Sequence, residues 1–444
     1  MNIGIVSLTA MPSWGGAEIY LDRLNRFLNE NEHTSIFYTA TPEVEGYDNG
    51  SENYHRIVLP LLHQAIEENG VKHGVSSILY NELNQLENGT NAWWDMLEQH
   101  LRTQPKQDIG IVYVQTLYPE NIPIVLQRLK PYFRNLITTS FDIEPAYIEY
   151  LYEENKKTPD LTLLETFDRV KDKLVEEVGE LNDFVLMCKQ NVPQVDYHLH
   201  LTHFHQEIMQ HLKPTKGYDF VLHPLVEGEW TRGIDYGSHY QNVVETPMAY
   251  TLGVINPSWK KGKALLAQII ARTPYKFLIL QGGWGNGEDF LNYLQEEYGT
   301  TFPDRVRLGD YSKDMIGYFD TLDAFLFPSW LEGYGQVAHE SILRRTPVIT
   351  TNYPTIHQAT IGKGKYVPLT EYFNVEMWLD AIKDVFHNQE YWHFECNDGA
   401  LMLLNRTMFN RQDFLQYLEM INKKEELSHK HIAELISQNN VLED

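Results

Sequence analysis

The sequence predicts an α/β protein made of two doubly wound parallel sheets, and three observations carry that prediction. Short apolar runs alternate with amphipathic helical stretches along much of the chain, the pattern of βα units in a parallel sheet. The 444 residues exceed what one hydrophobic core usually organises. Between 227 and 247 the apolar periodicity lapses around Gly228, Gly233, Gly237 and Pro247, which marks a linker. The expected domains are therefore 1–226 and 246–404. Helical insertions at about 61–105 and 150–182 interrupt the first, and a C-terminal helix over 405–444 joins it.

Composition removes several function classes. With 43% hydrophobic and 22% charged residues the chain is globular rather than disordered. A formal net charge of -25 argues against nucleic-acid binding, because that affinity comes from Lys and Arg on phosphates. It also disfavours adhesion to an anionic membrane beyond a local, peripheral contact. Two cysteines, Cys188 and Cys396, provide neither a disulfide framework nor a thiolate metal site. No apolar run reaches membrane-spanning length, and Met1-Asn-Ile-Gly lacks the basic start of a signal peptide. The expected home is cytoplasmic, at most peripheral to the inner face of a membrane.

In the first half, residues 2–8 read as a buried strand and Ala17 to Leu28 as a helix. Gly15 and Gly16 stand at the turn between them, where small residues let a ligand approach a helix N-terminus; an ordinary tight βα turn looks the same. Thr34 to Thr39 is strand-like, and 41–53 reads as loop. A helical stretch from Leu61 to about Leu101 contains Trp93-Trp94, read as core residues or as a membrane anchor. Ile109 to Val114 is a strand, Glu120 to Leu129 a helix and Leu136 to Thr139 a further strand. Asp142 and Glu144 follow at that strand's carboxyl end as candidate substrate acceptors or as loop and capping residues. Leu161 to Leu181 reads as a charged amphipathic helix. The run Tyr197-His-Leu-His-Leu-Thr-His-Phe-His205 is a candidate metal site or a solvated strand end. His203, at the turn, is a candidate to face a cleft. Tyr218 to Leu222 closes this half.

The second half repeats the logic more cleanly. Strands are expected at Met248–Val254, Lys276–Gln281, Val306–Gly309, Asp323–Phe327, Val348–Thr351 and Lys365–Pro368. Helices are expected at Lys263–Arg272, Glu288–Glu297, Lys313–Phe319, Gln336–Arg345 and Val375–Phe386, with mostly helical sequence from 390 to 444. Gly282 to Gly287 fails the dinucleotide fingerprint and lacks the Gly-Lys ending of a phosphate-binding P-loop. Lys260 and Lys261 open a helix at a strand's carboxyl end, where a lysine pairs with a diphosphate or is plain surface charge.

The stretch Phe327-Pro-Ser-Trp-Leu-Glu332-Gly-Tyr-Gly-Gln-Val-Ala-His-Glu340 carries the most chemistry. Pro328 ends a buried strand, and Gly333 and Gly335 mark a sharp loop at the position where open α/β sheets bind ligands. Glu332 and Glu340 frame a helix start whose field favours their ionised form. Acceptors for sugar hydroxyls beside loop N–H groups for a phosphate suit a nucleotide-sugar. An acidic, glycine-turned helix cap has the same spacing.

In this order, Gly15-Gly-Ala-Glu18, Lys261-Gly262, Phe327-Pro-Ser, Glu332-Gly-Tyr-Gly, Glu340 and Thr346-Pro-Val-Ile349 resemble glycosyltransferase family 4. The likeness is strongest over about 248–370 and thinner over 1–30, 109–145 and 184–225. It implies the GT-B fold, two Rossmann-like domains facing across a cleft, and a retaining, metal-independent transfer of a sugar from a nucleotide-sugar to a glycan, lipid or protein acceptor. Glu340 would then bind the ribose hydroxyls, and Glu332 the sugar hydroxyls and the charge of the transition state. The backbone of Gly333, Tyr334, Gly335 and Gln336 would hold sugar and distal phosphate. Lys261 would neutralise the leaving diphosphate, helped by Gly15 and Gly16, and Leu308 would lie where the base is contacted. Asp142 and His203 would serve the acceptor side, Asp142 with a catalytic role.

Two departures stand out. The family commonly has an arginine a few residues before the lysine, where this chain has Gly253-Val-Ile-Asn256; Lys260 is the candidate to replace it, and Asn256 is a further donor-binding candidate. Phe141 stands where the family often has a histidine and cannot hydrogen-bond a sugar. No cofactor or metal is expected beyond the donor substrate. A sugar epimerase of the same fold, or a non-catalytic glycosyltransferase-like subunit, would carry many of the same residues.

Overall fold

The computed structural model describes residues 1–8, 10, 16–41, 55–58, 92–114, 122–139, 197–212, 219–226, 230, 250–258, 261–280, 287–309, 314–329 and 332–423. Met1–Leu225 with Asn410–Gln438 form one compact unit, and Val226–Phe409 with Asn439–Asp444 form a second. The expected Leu161–Leu181 helix, the expected 41–53 loop apart from Thr41, and most of the stretch expected to be helical from Leu61 lie outside the described residues.

In the first unit the chain runs β1 (Asn2–Ser7), α1 (Gly16–Glu30), β2 (Thr34–Thr39), β3 (His55–Val58), α2 (Ala92–Arg102), β4 (Gln107–Tyr113), α3 (Ile122–Leu129), β5 (Phe133–Thr139), β6 (Tyr197–His200), α4 (His203–Leu212) and β7 (Asp219–Val221). The seven strands lie in the order β3-β2-β1-β4-β5-β6-β7, and each neighbouring pair is parallel. Helices cover both faces of such a sheet, so its strands are apolar throughout rather than alternating. Ile3, Ile5 and Val6 of β1 are accordingly fully buried. Trp93 and Trp94 join Leu97, Leu101, Tyr38, Val112 and Phe133 in one core. Their rings meet edge to face at 4.5 Å, a favourable aromatic geometry. The tryptophan pair is core rather than an anchor.

The second unit contains β8 (Thr251–Ile255), α5 (Lys263–Arg272), β9 (Lys276–Leu280), α6 (Gly287–Tyr298), β10 (Val306–Gly309), α7 (Met315–Asp320), β11 (Ala324–Phe327), α8 (Gln336–Leu343), β12 (Val348–Thr351), α9 (Pro354–Ala359), β13 (Lys365–Val367) and α10 (Val375–His387). A final helix, α11, spans Gln389–Lys423. Strand order is β10-β9-β8-β11-β12-β13, parallel at every neighbouring pair. The order reverses between β8 and β11, which makes their carboxyl ends the switch point where doubly wound sheets bind ligands. α10 seals one face with Val375, Trp378, Ile382 and Val385, and Trp378 donates its indole N–H to the Tyr372 carbonyl at 2.9 Å.

Helix α11 serves both units along its length. Its residues from 410 onward pack in the first: Phe414 and Tyr417 lie on Phe220 at 5.7 and 4.9 Å. Asn410 accepts from the His223 N–H at 2.9 Å and donates to the Val221 carbonyl at 2.8 Å. Among the described residues no helix is long and apolar enough to cross a membrane.

Candidate active site

The register of β8 and β11, with Ala324 opposite Leu252 and Phe325 opposite Gly253, brings the loops that follow both strands to one place. After β8 the chain turns at Asn256, whose φ of 49° is left-handed and tolerated by Asn more readily than by most residues. The Ser258 carbonyl then accepts from the N–H groups of Lys261 and Lys263, both at 3.0 Å. Gly262 follows with φ 74°, and a Cβ there would stand 2.5 Å from the Pro328 carbonyl and 2.7 Å from the Tyr372 hydroxyl. Only glycine permits that conformation together with so close an approach.

Lys261 is thereby aimed at the loop after β11. Its Nζ lies 3.3 Å from Glu332 Oε1 and 5.3 Å from the centre of the Phe327 ring. The same carboxylate oxygen accepts from Ser329 Oγ at 2.6 Å, and the Glu332 carbonyl accepts from Thr355 Oγ1 at 2.7 Å. Ser329 is anchored in turn, its carbonyl accepting from Thr351 Oγ1 at 2.8 Å. A partly exposed ion pair adds little to stability by itself. Here its importance is positional, because a cation and an acceptor stand side by side at the switch point.

Gly335 starts α8 with φ 88°, and its carbonyl accepts from the N–H groups of Ala338 and His339 at 2.9 and 3.1 Å. The first N–H groups of α8 have no carbonyl one turn earlier and form an anion-favouring end. Glu340 is 5% exposed, and its Oε1 accepts from Gln336 Nε2 at 2.9 Å. Gln336 therefore orients Glu340. Tyr334 turns its side chain into the interior, so any contribution to a ligand comes from its backbone. Its hydroxyl lies 2.8 Å from His339 Nδ1 and 2.7 Å from Arg406 Nη2.

The remaining candidates are placed as follows. Leu308 is half-buried in the edge strand β10, opposite Ile279 and two strands from β8. Gly16 is the exposed first residue of α1 in the other unit. His203 is the half-buried first residue of α4, its ring 5.7 Å from that of His223. Gly15, Phe141, Asp142, Glu144 and Lys260 lie outside the described residues. Ser329, Thr355, Tyr372 and Arg406 support the site although sequence reading assigns them no role. The Phe327-Pro-Ser motif could have pointed to Ser329; the other three carry no local signal.

The histidine run needs a correction. His198, His200 and His205 form no solvated strand end: all three are buried, at 7%, 2% and 2% exposed. His198 Nδ1 lies 2.6 Å from Thr138 Oγ1, and His200 Nε2 lies 3.5 Å from Asp219 Oδ2. Burial, reinforced by the nearby His200, pushes His198 and His205 down to about 3, because desolvation penalises the charged ring. Among the described residues no group of three or more His, Cys, Asp or Glu could hold a metal ion.

Residues 247–393, which contain the whole Lys261–Glu340 arrangement, match the family model of Glycosyl transferases group 1. No curated protein sequence matches the chain. Among solved structures, the sucrose-phosphate synthase of Thermosynechococcus elongatus superposes with a TM-score of 0.64 at 14% identity, over 99% of this chain and 98% of that one. Anabaena HepE in complex with UDP-glucose gives 0.58 at 12% identity, over 94% and 99%. WaaG, a glycosyltransferase involved in lipopolysaccharide biosynthesis, gives 0.57 at 15% identity, over 90% and 95%. Coverage of nearly the whole of each chain identifies the fold as that of the GT-B glycosyltransferases.

Proposed function

We propose that this protein is a retaining, metal-independent glycosyltransferase that moves a sugar from a nucleoside diphosphate donor to a glycan, lipid or protein acceptor. The observation that carries the reading is the 3.3 Å approach of Lys261 Nζ to Glu332 Oε1 at the switch point of the sheet. It lies in the segment that matches Glycosyl transferases group 1. The UDP-glucose held by Anabaena HepE is a ligand of that protein; a nucleotide-sugar is the ligand class the site suits here.

Glycosyl transfer passes through an oxocarbenium-like state while the diphosphate departs with growing negative charge. A cation and helix-start N–H groups fixed on the leaving group stabilise that state more than the ground state. Lys261 supplies the cation, with Lys260 its neighbour in sequence, and the backbone from Gly333 to Gln336 supplies the N–H groups. Glu332, steadied by Ser329, accepts from the sugar hydroxyls and faces the developing positive charge. Glu340, oriented by Gln336, accepts from the ribose hydroxyls, and Leu308 lies in the strand expected to meet the base. Such fixed positive groups do the work a divalent cation does at other diphosphate sites.

The test is a panel of nucleotide-sugars incubated with the full-length protein and its acceptor extract, with and without a chelator. The anomeric configuration of the product is then read by NMR. Transfer with the donor's own anomeric configuration, undiminished by chelation, is expected. An inverted product overturns the retaining assignment, loss of activity on chelation overturns metal independence, and an epimerised donor without transfer points to an epimerase.

A further inference from the structure

The loop from Glu332 to Gln336 is held from behind by one buried arginine. Arg406, on α11, is 1% exposed. Its Nη2 donates to the Tyr334 hydroxyl at 2.7 Å, and its Nη1 donates to the Gln358 carbonyl at 2.6 Å. A guanidinium can only donate. Tyr334 Oη therefore accepts from Arg406, and it is also hydrogen-bonded to His339 Nδ1, 2.8 Å away. Arg406, Tyr334 and His339 thus form one connected hydrogen-bond chain in the interior, with all three residues at most 4% exposed. Linked charge-assisted bonds of this kind hold geometry more firmly than isolated ones.

The second arm of the same guanidinium reaches the loop by another route. Gln358 belongs to α9, and so does Thr355, whose hydroxyl donates to the Glu332 carbonyl at 2.7 Å. Arg406 therefore braces the loop at Tyr334 directly and at Glu332 through α9. Between these two points lie Gly333 and, just beyond, Gly335. Glycines leave a backbone free to wander unless something fixes it.

We propose that Arg406 is a positioning residue for the donor loop: through Tyr334 and through α9 it locks residues 332–336 into the geometry a sugar diphosphate requires. This rests on the donor-site reading above for its catalytic consequence, and on the hydrogen bonds alone for the brace itself. Arg406 touches no reacting atom. A loop held to within a fraction of an ångström is worth rate rather than affinity, because misplacement is felt most in the transition state.

Two mild variants of the full-length protein test it, Tyr334→Phe, which keeps the ring, and Arg406→Lys, which keeps the charge. Amide hydrogen exchange at Gly333, Tyr334, Gly335 and Gln336 should rise about tenfold in both, while amides of β8 and β11 stay as in the wild type. Per folded molecule, kcat for donor turnover should fall about tenfold with donor KM little changed. The double variant should lose no more than the worse single, since the two residues act as one unit. Unchanged exchange in the loop overturns the brace, and so does a lowered melting temperature with wild-type kcat. If the wild type itself turns over no nucleotide-sugar, the donor-site reading fails, and the exchange comparison still decides the brace.

Discussion

At the end of β6 in the first unit, His200 lies 3.5 Å from Asp219, with 2% and 3% of the two side chains exposed. At the ends of β8 and β11 in the second, Lys261 lies 3.3 Å from Glu332, with 26% and 16% exposed. The separations are nearly equal and the surroundings are opposite. The first pair sits among buried rings, where His198 and His205 are held neutral. Charge on those two rings is suppressed, and they act as part of the interior. The second pair reaches solvent, so an incoming anion can take over the lysine and an incoming hydroxyl can take over the carboxylate. Exposure, not proximity, separates a structural polar cluster from a site that can exchange partners.

Breaking the exposed pair should have the largest effect. Glu332→Ala and Lys261→Ala are each expected to lower kcat/KM for donor turnover by more than a hundredfold, about 3 kcal/mol of transition-state stabilisation. The fold should be kept, as the circular dichroism spectrum will show. Near-wild-type rates in both would place the chemistry elsewhere.

The buried cluster should answer to pH instead. In the unfolded chain the rings of His198 and His205 take up protons below the ordinary value of 6.5; in the folded protein they resist protonation until about 3. Their contribution to stability is therefore whole above pH 6.5 and is lost progressively as pH falls from 6.5 towards 3. At pH 5 each ring costs about 2 kcal/mol. Urea midpoints at pH 7 and pH 5 measure this, and His205→Phe should remove about half of the difference. Equal midpoints in the wild type at the two pH values would mean that the rings are not held neutral by burial.

Ser329→Ala sharpens the comparison from the catalytic side. It removes the 2.6 Å bond that holds the Glu332 carboxylate, at an expected cost of about 1 kcal/mol, or roughly fivefold in donor turnover. Steady-state kinetics at saturating acceptor would show it. The smallest effect belongs to Arg272 and Glu376, an ion pair with 46% and 60% of its side chains exposed. Glu376→Ala should shift stability by less than about 0.5 kcal/mol, a contrast with Glu332 that thermal unfolding and turnover together make visible.

Much of the second unit is legible before folding. Lys263–Arg272, Val306–Gly309 and Val348–Thr351 have the same bounds in sequence and structure. In each, the apolar pattern is strong and breaks cleanly at flanking polar or proline residues. Thr34–Thr39 behaves likewise in the first unit. Elements without a clear local pattern escape. β3 opens on His55 and Arg56 and so lacks a continuous apolar run, and α9 has only six residues, too few for helical periodicity to declare itself. β5 begins at Phe133, three residues before the expected start, because its sheet partners extend the ladder through the polar Arg134 and Asn135.

The candidate site divides in the same way. Lys261, Glu332, Gly335 and Glu340 announce themselves through spacing, since a strand end followed by glycines and a helix start is a local pattern. Ser329 stands inside that pattern, but the bond that gives it a role is visible only in three dimensions. Thr355, Tyr372 and Arg406 reach the site through side chains from remote elements, and nothing near them in sequence says so. The histidine run shows the converse: its spacing suggests ligands, and burial makes it core.

The most direct measurement is thermal unfolding of the full-length protein and its Lys261→Ala variant against a panel of nucleotide-sugars. Binding to the folded state alone raises stability by about 2.7 kcal/mol at a ligand concentration one hundred times Kd. The expected result is a raised midpoint for the wild type with at least one nucleoside diphosphate sugar, and loss of most of that rise in the variant. A wild type that no nucleotide-sugar stabilises, or a rise that survives unchanged in Lys261→Ala, would contradict a donor site built on Lys261 and Glu332.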